Sequence, residues 1–278
     1  MKQDPPQQLA EDDEKDPYWV DALAHGLTVL RVFEHSQEGL NLSDIALRLG
    51  WSRTKPYRYL HTLERLGYLS RNEATKRYRP TSLTMTLGYT YLSGLSLIEL
   101  AQPAINLLRD RVGASVHLGI LEQNHVVYIA SARVALMPVV NLHVGSIVPP
   151  YATSIGRMLL AHLDETALQA IIGKGPLPAL TEHSITDPQM FRKMLRQSQV
   201  RGYTMTDEEF HPGVRSIAAP IRDRDGTVVA AVNATSIIQK FSDEFIAQTV
   251  IPCVLDAARD ISRGLGYMGK ETVQTTSQ

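Results

Sequence analysis

Between Val20 and Arg79 the chain alternates short helical repeats of apolar residues with single glycines, and this punctuation admits little besides a small helical domain ending in a hairpin. Leu23, Leu27, Leu30 and Phe33 recur at helical spacing and predict a first helix that is over before Gly39. Asn41-Leu42-Ser43-Asp44 offers an N-cap to a short second helix, with Ile45, Ala46 and Leu49 as its apolar face and Gly50 as its stop. A third helix turns Tyr59 or Leu60, Leu63 and Leu66 inward and ends at Gly67. Tyr68-Leu69-Ser70, the polar stretch Arg71 to Thr75 and Lys76 to Arg79 then read as a β-hairpin with aromatic ends and a polar tip. Three helices and a hairpin in this compass are a winged helix-turn-helix.

Charge is concentrated on the same segment. The 278-residue chain has a formal net charge of −1, so any affinity for nucleic acid has to come from a local patch. Ala46 to Pro80 carries nine Arg and Lys against Glu64 and Glu73, a balance of 9 − 2 = +7. Neutralising phosphates requires such focusing. Arg53, Thr54, Lys55, Tyr57, Arg58 and His61 fall at the start of the third helix, the end that enters the major groove in a helix-turn-helix. Arg and Lys there donate to guanine edges, while Thr and Tyr reach phosphate or a thymine methyl. Lys76, Arg77 and Arg79 place charge on the wing, and Ser43 opens the second helix. Pro56 leaves the helix start open. If Ser52 caps the helix, Pro56 removes its first backbone bond; if Pro56 takes the first position, Arg53 and Thr54 lie in the preceding turn.

The rest of the chain has a different character. Residues 1–16 are acidic and polar and predict a disordered arm, as does the tail 269–278. Leu83, Leu87, Tyr91 and Leu95 repeat helically in a stretch, 81–97, that carries no charge. An exposed helix keeps one charged face, so this linker is expected to be covered by another subunit. Leu97 to Val112 is an amphipathic helix, followed by strands at Ser115–Leu121, Val126–Ser131 and Met137–Leu142. Helices are expected over Thr153–Leu163, Glu165–Ile172 and Pro188–Val200, and a last one over Asp243–Leu265. Strong strands at Ser216–Arg222 and Val228–Ser236 flank the turn Asp223-Arg224-Asp225-Gly226. Mixed helices and mainly antiparallel strands make this second domain α+β. Cys253 stands alone, so no disulfide can form within the chain, which fits a cytoplasmic protein. No apolar run reaches the length of a membrane span.

The ordered motifs resemble those of the IclR family of bacterial regulators. Ala22-Leu23-Ala24-His25-Gly26-Leu27, Leu42-Ser43-Asp44-Ile45-Ala46, Tyr57-Arg58-Tyr59-Leu60-His61-Thr62-Leu63 and Leu66-Gly67-Tyr68 carry the likeness in the first domain. In the second it runs through Tyr151 to Ala161, Arg201-Gly202-Tyr203, Asp207-Glu208-Glu209, Gly213 and Ser216-Ile217-Ala218-Ala219-Pro220. The resemblance implies a winged helix-turn-helix (17–80) joined by a linker helix (81–97) to a GAF-like α/β effector-binding domain (98–268). Asn141-Leu142-His143-Val144-Gly145, with Tyr151-Ala152-Thr153-Ser154 and Arg215-Ser216-Ile217-Ala218, is most similar to the branch controlling protocatechuate, 4-hydroxybenzoate and β-ketoadipate catabolism.

The implied effector site begins where the loop Pro149 to Thr153 enters a helix near Ser154. Unpaired N–H groups at a helix start suit a small carboxylate, and Gly156 admits a ligand or a neighbouring backbone. Ala152, Thr153, Ser154, Ile155 and Gly156 are thus candidates. The resemblance adds Thr206 or Asp207 in an acidic loop, Ser216, and the pair Asn233 and Thr235, two apart on one strand face. Tyr128, and Arg133 near the same strand end, are further candidates for meeting a ring or a carboxylate.

The expected partners are a palindromic duplex operator, a small aromatic or keto-acid carboxylate, further copies of the chain as homodimer or tetramer, and RNA polymerase, with no cofactor, metal or membrane. Two other readings compete. One is a DNA-bound protein whose sensor domain is degenerate. The other is a hydrolase of small acids, but Ala152 stands where the first glycine of a nucleophile elbow belongs, and the nine histidines show no metal spacing.

Overall fold

The structure, a computed structural model, describes residues 18–33, 36, 38–92, 96–134, 142–173 and 175–269, with the backbone alone at 88–92 and 96. The acidic arm, the tail beyond Gly269, Leu95 and the expected strand at 137–141 lie outside the described residues. The chain divides into two compact units, residues 1–94 and 95–278.

In the first unit α1 (Asp21–Arg31), α2 (Leu42–Leu49) and α3 (Lys55–Arg65) precede a hairpin of β1 (Leu69–Arg71) and β2 (Tyr78–Pro80), and α4 (Leu83–Leu92) follows. Asn41 and Asp44 form a reciprocal capping box on α2, each side chain accepting the other's backbone N–H. Gly50 closes that helix in the left-handed region, φ 64°, where a side chain would be strained. Leu40 exchanges both backbone hydrogen bonds with Tyr78, tying the loop before α2 to the wing. Val29, Phe33, Leu40, Ile45, Leu60, Leu63, Leu69 and Tyr78 make the core.

Two expectations shift here. Leu23 and Leu27 are exposed, and this segment meets the core through Val29, with the expected Leu30 against it and the expected Phe33 just past the helix end. His25, on the same helix, packs against Trp51 and Tyr59, with Tyr59 Oη 3.2 Å from its Nδ1. On α3 the inward residues are Pro56, Leu60 and Leu63, whereas Leu66 is exposed. Of the uncharged linker, α4 presents Leu83, Met85 and Leu87 to the outside of the single chain.

The second unit is a six-stranded antiparallel sheet in the order β5-β4-β3-β8-β7-β6. Its strands are β3 (Ser115–Glu122), β4 (His125–Ala132), β5 (Ile147–Val148), β6 (Thr204–Asp207), β7 (Val214–Arg222) and β8 (Val228–Ile237). One face carries α5 (Ser96–Val112) and α10 (Ile251–Gly264); the other carries α6 (Ser154–Leu160) and α8 (Pro188–Arg201), with α7 (Glu165–Ile172) beyond. The predicted last helix begins as the turn α9 (Asp243–Phe245) and widens to a π segment at Ile246–Val250 before α10. The widening directly precedes Pro252, which has no N–H to give an α-helical bond.

The acidic loop expected around Asp207 is in fact the edge strand β6. Its alternation is inverted, since Thr204 and Thr206 are buried while Met205 is exposed. The buried face of that edge is polar, so a hydrophobic pattern could not reveal it.

Candidate functional site

α3 begins at Lys55 with Pro56 in its first turn, so Arg53 and Thr54 lie in the turn before it. Proline costs no bond at this place, where the helix N–H groups have no partner within the helix. Burial of Pro56, Leu60 and Leu63 fixes the rotation of the helix and leaves Arg58, His61 and Arg65 along one exposed face. Tyr57 stacks on His61 one turn later, with ring centres 6.4 Å apart. Lys55 lies over the Trp51 ring at 4.4 Å, which anchors the start of the helix. Among the described residues neither Arg53 nor Arg58 has an ion-pair or hydrogen-bond partner. Ser43 is also exposed.

The wing cations are less free. Arg77 donates to the carbonyl of Gly39 at 2.7 Å, Arg79 to that of Glu38 at 3.2 Å, and Lys76 pairs with Glu73 at 2.8 Å. Arg77 and Arg79 hold the loop before α2 against the hairpin, and all three add positive charge beside α3.

The second site lies on the α6 face of the larger sheet. Thr153 caps α6, its hydroxyl accepting the Gly156 N–H at 3.1 Å. A Cβ on Gly156 would sit 2.2 Å from the Pro150 carbonyl oxygen, so glycine is required by a neighbouring backbone. The Pro150–Ala152 turn thereby packs directly on the helix start, and Ala152 and Ile155 are buried beside it.

Antiparallel register does the rest. Thr235 on β8 sits opposite Ser216 on β7, and Asn233 opposite His117 on β3. Ser154 and Ser216 hydroxyls are 2.7 Å apart, and Ser216 and Thr235 hydroxyls 2.8 Å. Asn233 Nδ2, with two N–H bonds to share, lies within hydrogen-bonding distance of all three oxygens, 3.3 Å from Ser154, 2.9 Å from Ser216 and 3.0 Å from Thr235. Thr206, opposite Ser216 on β6, is buried on the same face. Four of the candidates therefore meet at one point, with Thr206 at its edge.

Tyr128 is buried on this face, and its ring meets that of His117 edge-on at 5.4 Å. Burial pushes its hydroxyl pKa up. No side-chain hydrogen bond holds Tyr128 Oη or Thr206 Oγ1 among the described residues, and neither atom is wholly enclosed, since Arg71 Nε is the one fully buried side-chain polar atom there without a partner.

Asp207 does not join this cluster. Alternation along β6 turns it to the opposite face from Thr206, where both carboxylate oxygens accept from Arg215 at 2.8 Å. Arg215 also reaches Asp243 at 2.6 Å, so Asp207 belongs to an ion-pair network of its own. Arg133 is exposed, and its charge helps to depress the His117 pKa.

Two features escaped sequence reasoning. Arg157, 2% exposed, makes a bidentate pair with Glu209 at 2.6 and 2.5 Å and donates to the Tyr151 carbonyl at 2.8 Å. The Glu209 carbonyl in turn accepts from Ser184 at 3.1 Å, so one buried pair joins the Pro150–Ala152 turn, α6 and two loops. A lone arginine among the apolar residues of α6 was its signal. His117 is the other: Ser115 and His117, two apart on β3, repeat the polar pattern of Asn233 and Thr235.

Comparison with known proteins gives both units the same assignment. Residues 22–73 match the IclR helix-turn-helix domain, and residues 89–263 match the bacterial transcriptional regulator IclR C-terminal domain. The Pca regulon regulatory protein of Pseudomonas putida is 35% identical over 90% of this chain and 86% of its own length. The crystal structure of a transcriptional regulator from Rhodococcus sp. RHA1 is 37% identical, with a TM-score of 0.76 over 89% of this chain and 98% of that one. An IclR homologue from Microbacterium hydrocarbonoxydans, crystallised with 4-hydroxybenzoate, is 26% identical, with a TM-score of 0.74 over 88% and 98% of the two chains. These relatives are regulators rather than enzymes, the α+β fold with an N-terminal helix-turn-helix is theirs, and the chain belongs to the IclR family of bacterial transcriptional regulators.

Proposed function

We propose that this regulator senses a small aromatic carboxylate on the α6 face of its larger unit and answers by changing its hold on a palindromic operator. The observation that carries the reading is the convergence of Ser154, Ser216, Asn233 and Thr235 on one buried point. Three hydroxyls can reorient to donate to a carboxylate beside the Asn233 Nδ2, which already faces them, while Ala152, Ile155 and Tyr128 supply apolar walls for a ring. The Tyr128 and Thr206 hydroxyls, neither wholly enclosed nor hydrogen-bonded among the described residues, would gain partners from a ligand. The name of the Pseudomonas putida relative and the 4-hydroxybenzoate in the Microbacterium structure support the aromatic-acid class.

On the DNA side the readers are Arg53, Thr54, Lys55, Tyr57, Arg58 and His61, with Ser43, Lys76, Arg77 and Arg79 on the flanking backbone. A palindrome needs two readers one helical turn apart, so the working form is a homodimer or tetramer in the cytoplasm, with RNA polymerase as the further partner at a promoter. No helix among the described residues is long and apolar enough to cross a membrane.

The test is fluorescence anisotropy on the duplex upstream of the gene, with and without protocatechuate or 4-hydroxybenzoate. A duplex affinity that shifts at least fivefold with one of these acids supports the reading. Tight duplex binding indifferent to every aromatic acid would favour a non-sensing second unit instead.

A further inference from the structure

The amide of Asn233 has a fixed orientation, and the consequence runs through its neighbour. The backbone N–H of His117 lies 3.2 Å from Asn233 Oδ1, and a backbone N–H only donates, so that atom is the oxygen. His117 Nδ1 lies 3.2 Å from the same oxygen and has to carry its proton to donate there. A neutral imidazole bears one N–H, which leaves Nε2 a bare acceptor. The ring is held neutral by its burial first, with the Arg133 charge adding to the effect. Nε2 meets no donor among the described residues, and the Tyr128 ring, whose hydroxyl has no partner there either, meets the imidazole edge-on with ring centres 5.4 Å apart. The sheet thus lays out two poles around Asn233. Hydroxyls from α6, β7 and β8 lie on one side, and an acceptor and a hydroxyl from β3 and β4 on the other.

We propose that His117 and Tyr128 form a subsite for a hydroxyl group on the effector's ring, the His117 Nε2 accepting its proton in a hydrogen bond and Tyr128 Oη completing the pair. This rests on the aromatic-carboxylate reading and narrows it to hydroxylated acids. A ring without the hydroxyl leaves Nε2 and Oη without that partner, and sites built to hydrogen-bond a hydroxyl reject analogues that lack it.

The experiment is isothermal titration of the full chain with benzoate, 4-fluorobenzoate, 4-aminobenzoate, 3-hydroxybenzoate and 4-hydroxybenzoate, repeated on Tyr128→Phe and His117→Gln. The better hydroxybenzoate binds the wild type at least tenfold more tightly than benzoate or the fluoro acid, and the amino acid, which keeps a donor, falls between. Each variant narrows the hydroxybenzoate-to-benzoate ratio to under threefold. Tyr128→Phe removes only an unpaired oxygen, so it leaves the packing in place; should either variant fail to fold, the wild-type series decides alone. If benzoate binds within threefold of both hydroxybenzoates, or both folded variants keep the preference, the subsite is wrong and the aromatic-acid reading stands. If no acid in the series binds, both fall together.

Discussion

Replacing Glu209 by alanine strands a guanidinium inside the larger unit. Arg157 is 2% exposed and surrounded by the Tyr151 carbonyl, the Phe191 ring at 5.5 Å and the apolar side of α6, so it cannot swing into water. The substitution deletes two short charge-assisted hydrogen bonds at once. Removing one partner of a buried pair costs about 3–5 kcal/mol, because the other charge stays desolvated and unpaired. For a unit of this size that corresponds to a midpoint lowered by roughly 6–20 °C. Calorimetry on the full chain reads the loss. Both tryptophans, Trp19 and Trp51, lie in the smaller unit, so their fluorescence reports on that unit and serves as an internal control. The double replacement Arg157→Met with Glu209→Met removes the charge together with its partner and recovers most of the loss, since buried pairs exchange for apolar groups at little net cost. A Glu209→Ala protein within about 1 kcal/mol of wild type, or a double variant no better than the single one, would refute the claim that this pair is desolvated and mutually dependent.

Three other outcomes follow from the same geometry. Gly156→Ala drives a methyl to 2.2 Å from the Pro150 carbonyl oxygen, a backbone atom, and loses about 1–3 kcal/mol by denaturant unfolding; an unchanged midpoint contradicts the close approach. His117, with its pKa pushed down to about 4 from 6.5, ties stability to pH. Above pH 6.5 both states are neutral and stability is complete; as the pH falls from 6.5 to 4 only the unfolded chain gains the proton, and roughly 3 kcal/mol is lost. His117→Gln flattens that slope, measured by unfolding at stepped pH. Asn41→Ala removes one half of the α2 capping box and costs about 1 kcal/mol in the smaller unit, read from Trp51 fluorescence.

The helices of the smaller unit were legible because caps and glycines mark them locally: Asn41, Gly50 and Gly67 each end or begin an element where the structure does. The orientation of α1 was legible only at its end, where Leu30 and Phe33 pack as expected; Leu23 and Leu27 continue the same stripe, and nothing local says that the core stops short of them and takes Val29. The strands β3, β4, β7 and β8 announced themselves as short, largely apolar runs, with the turn Asp223-Arg224-Asp225-Gly226 between the last two. β6 did not, since its inward residues are threonines, and Asp207 was accordingly placed with Thr206 although one residue of strand moves a side chain to the other face. Candidate pocket residues came from the Asn233 and Thr235 spacing and from family likeness. The Arg157–Glu209 pair and the His117–Asn233 contact span 52 and 116 residues, and pairings at such separations leave no periodic trace.

Whether α3 reads DNA through its focused charge is tested most directly by the salt dependence of operator binding. Wild type and Arg53→Ala/Arg58→Ala are titrated onto the upstream duplex across a range of ionic strengths. A steep linear fall for the wild type is predicted, with the double variant weaker throughout and its log–log slope shallower by up to about 2, since each phosphate contact contributes about 0.9. Two superimposed lines would contradict the account.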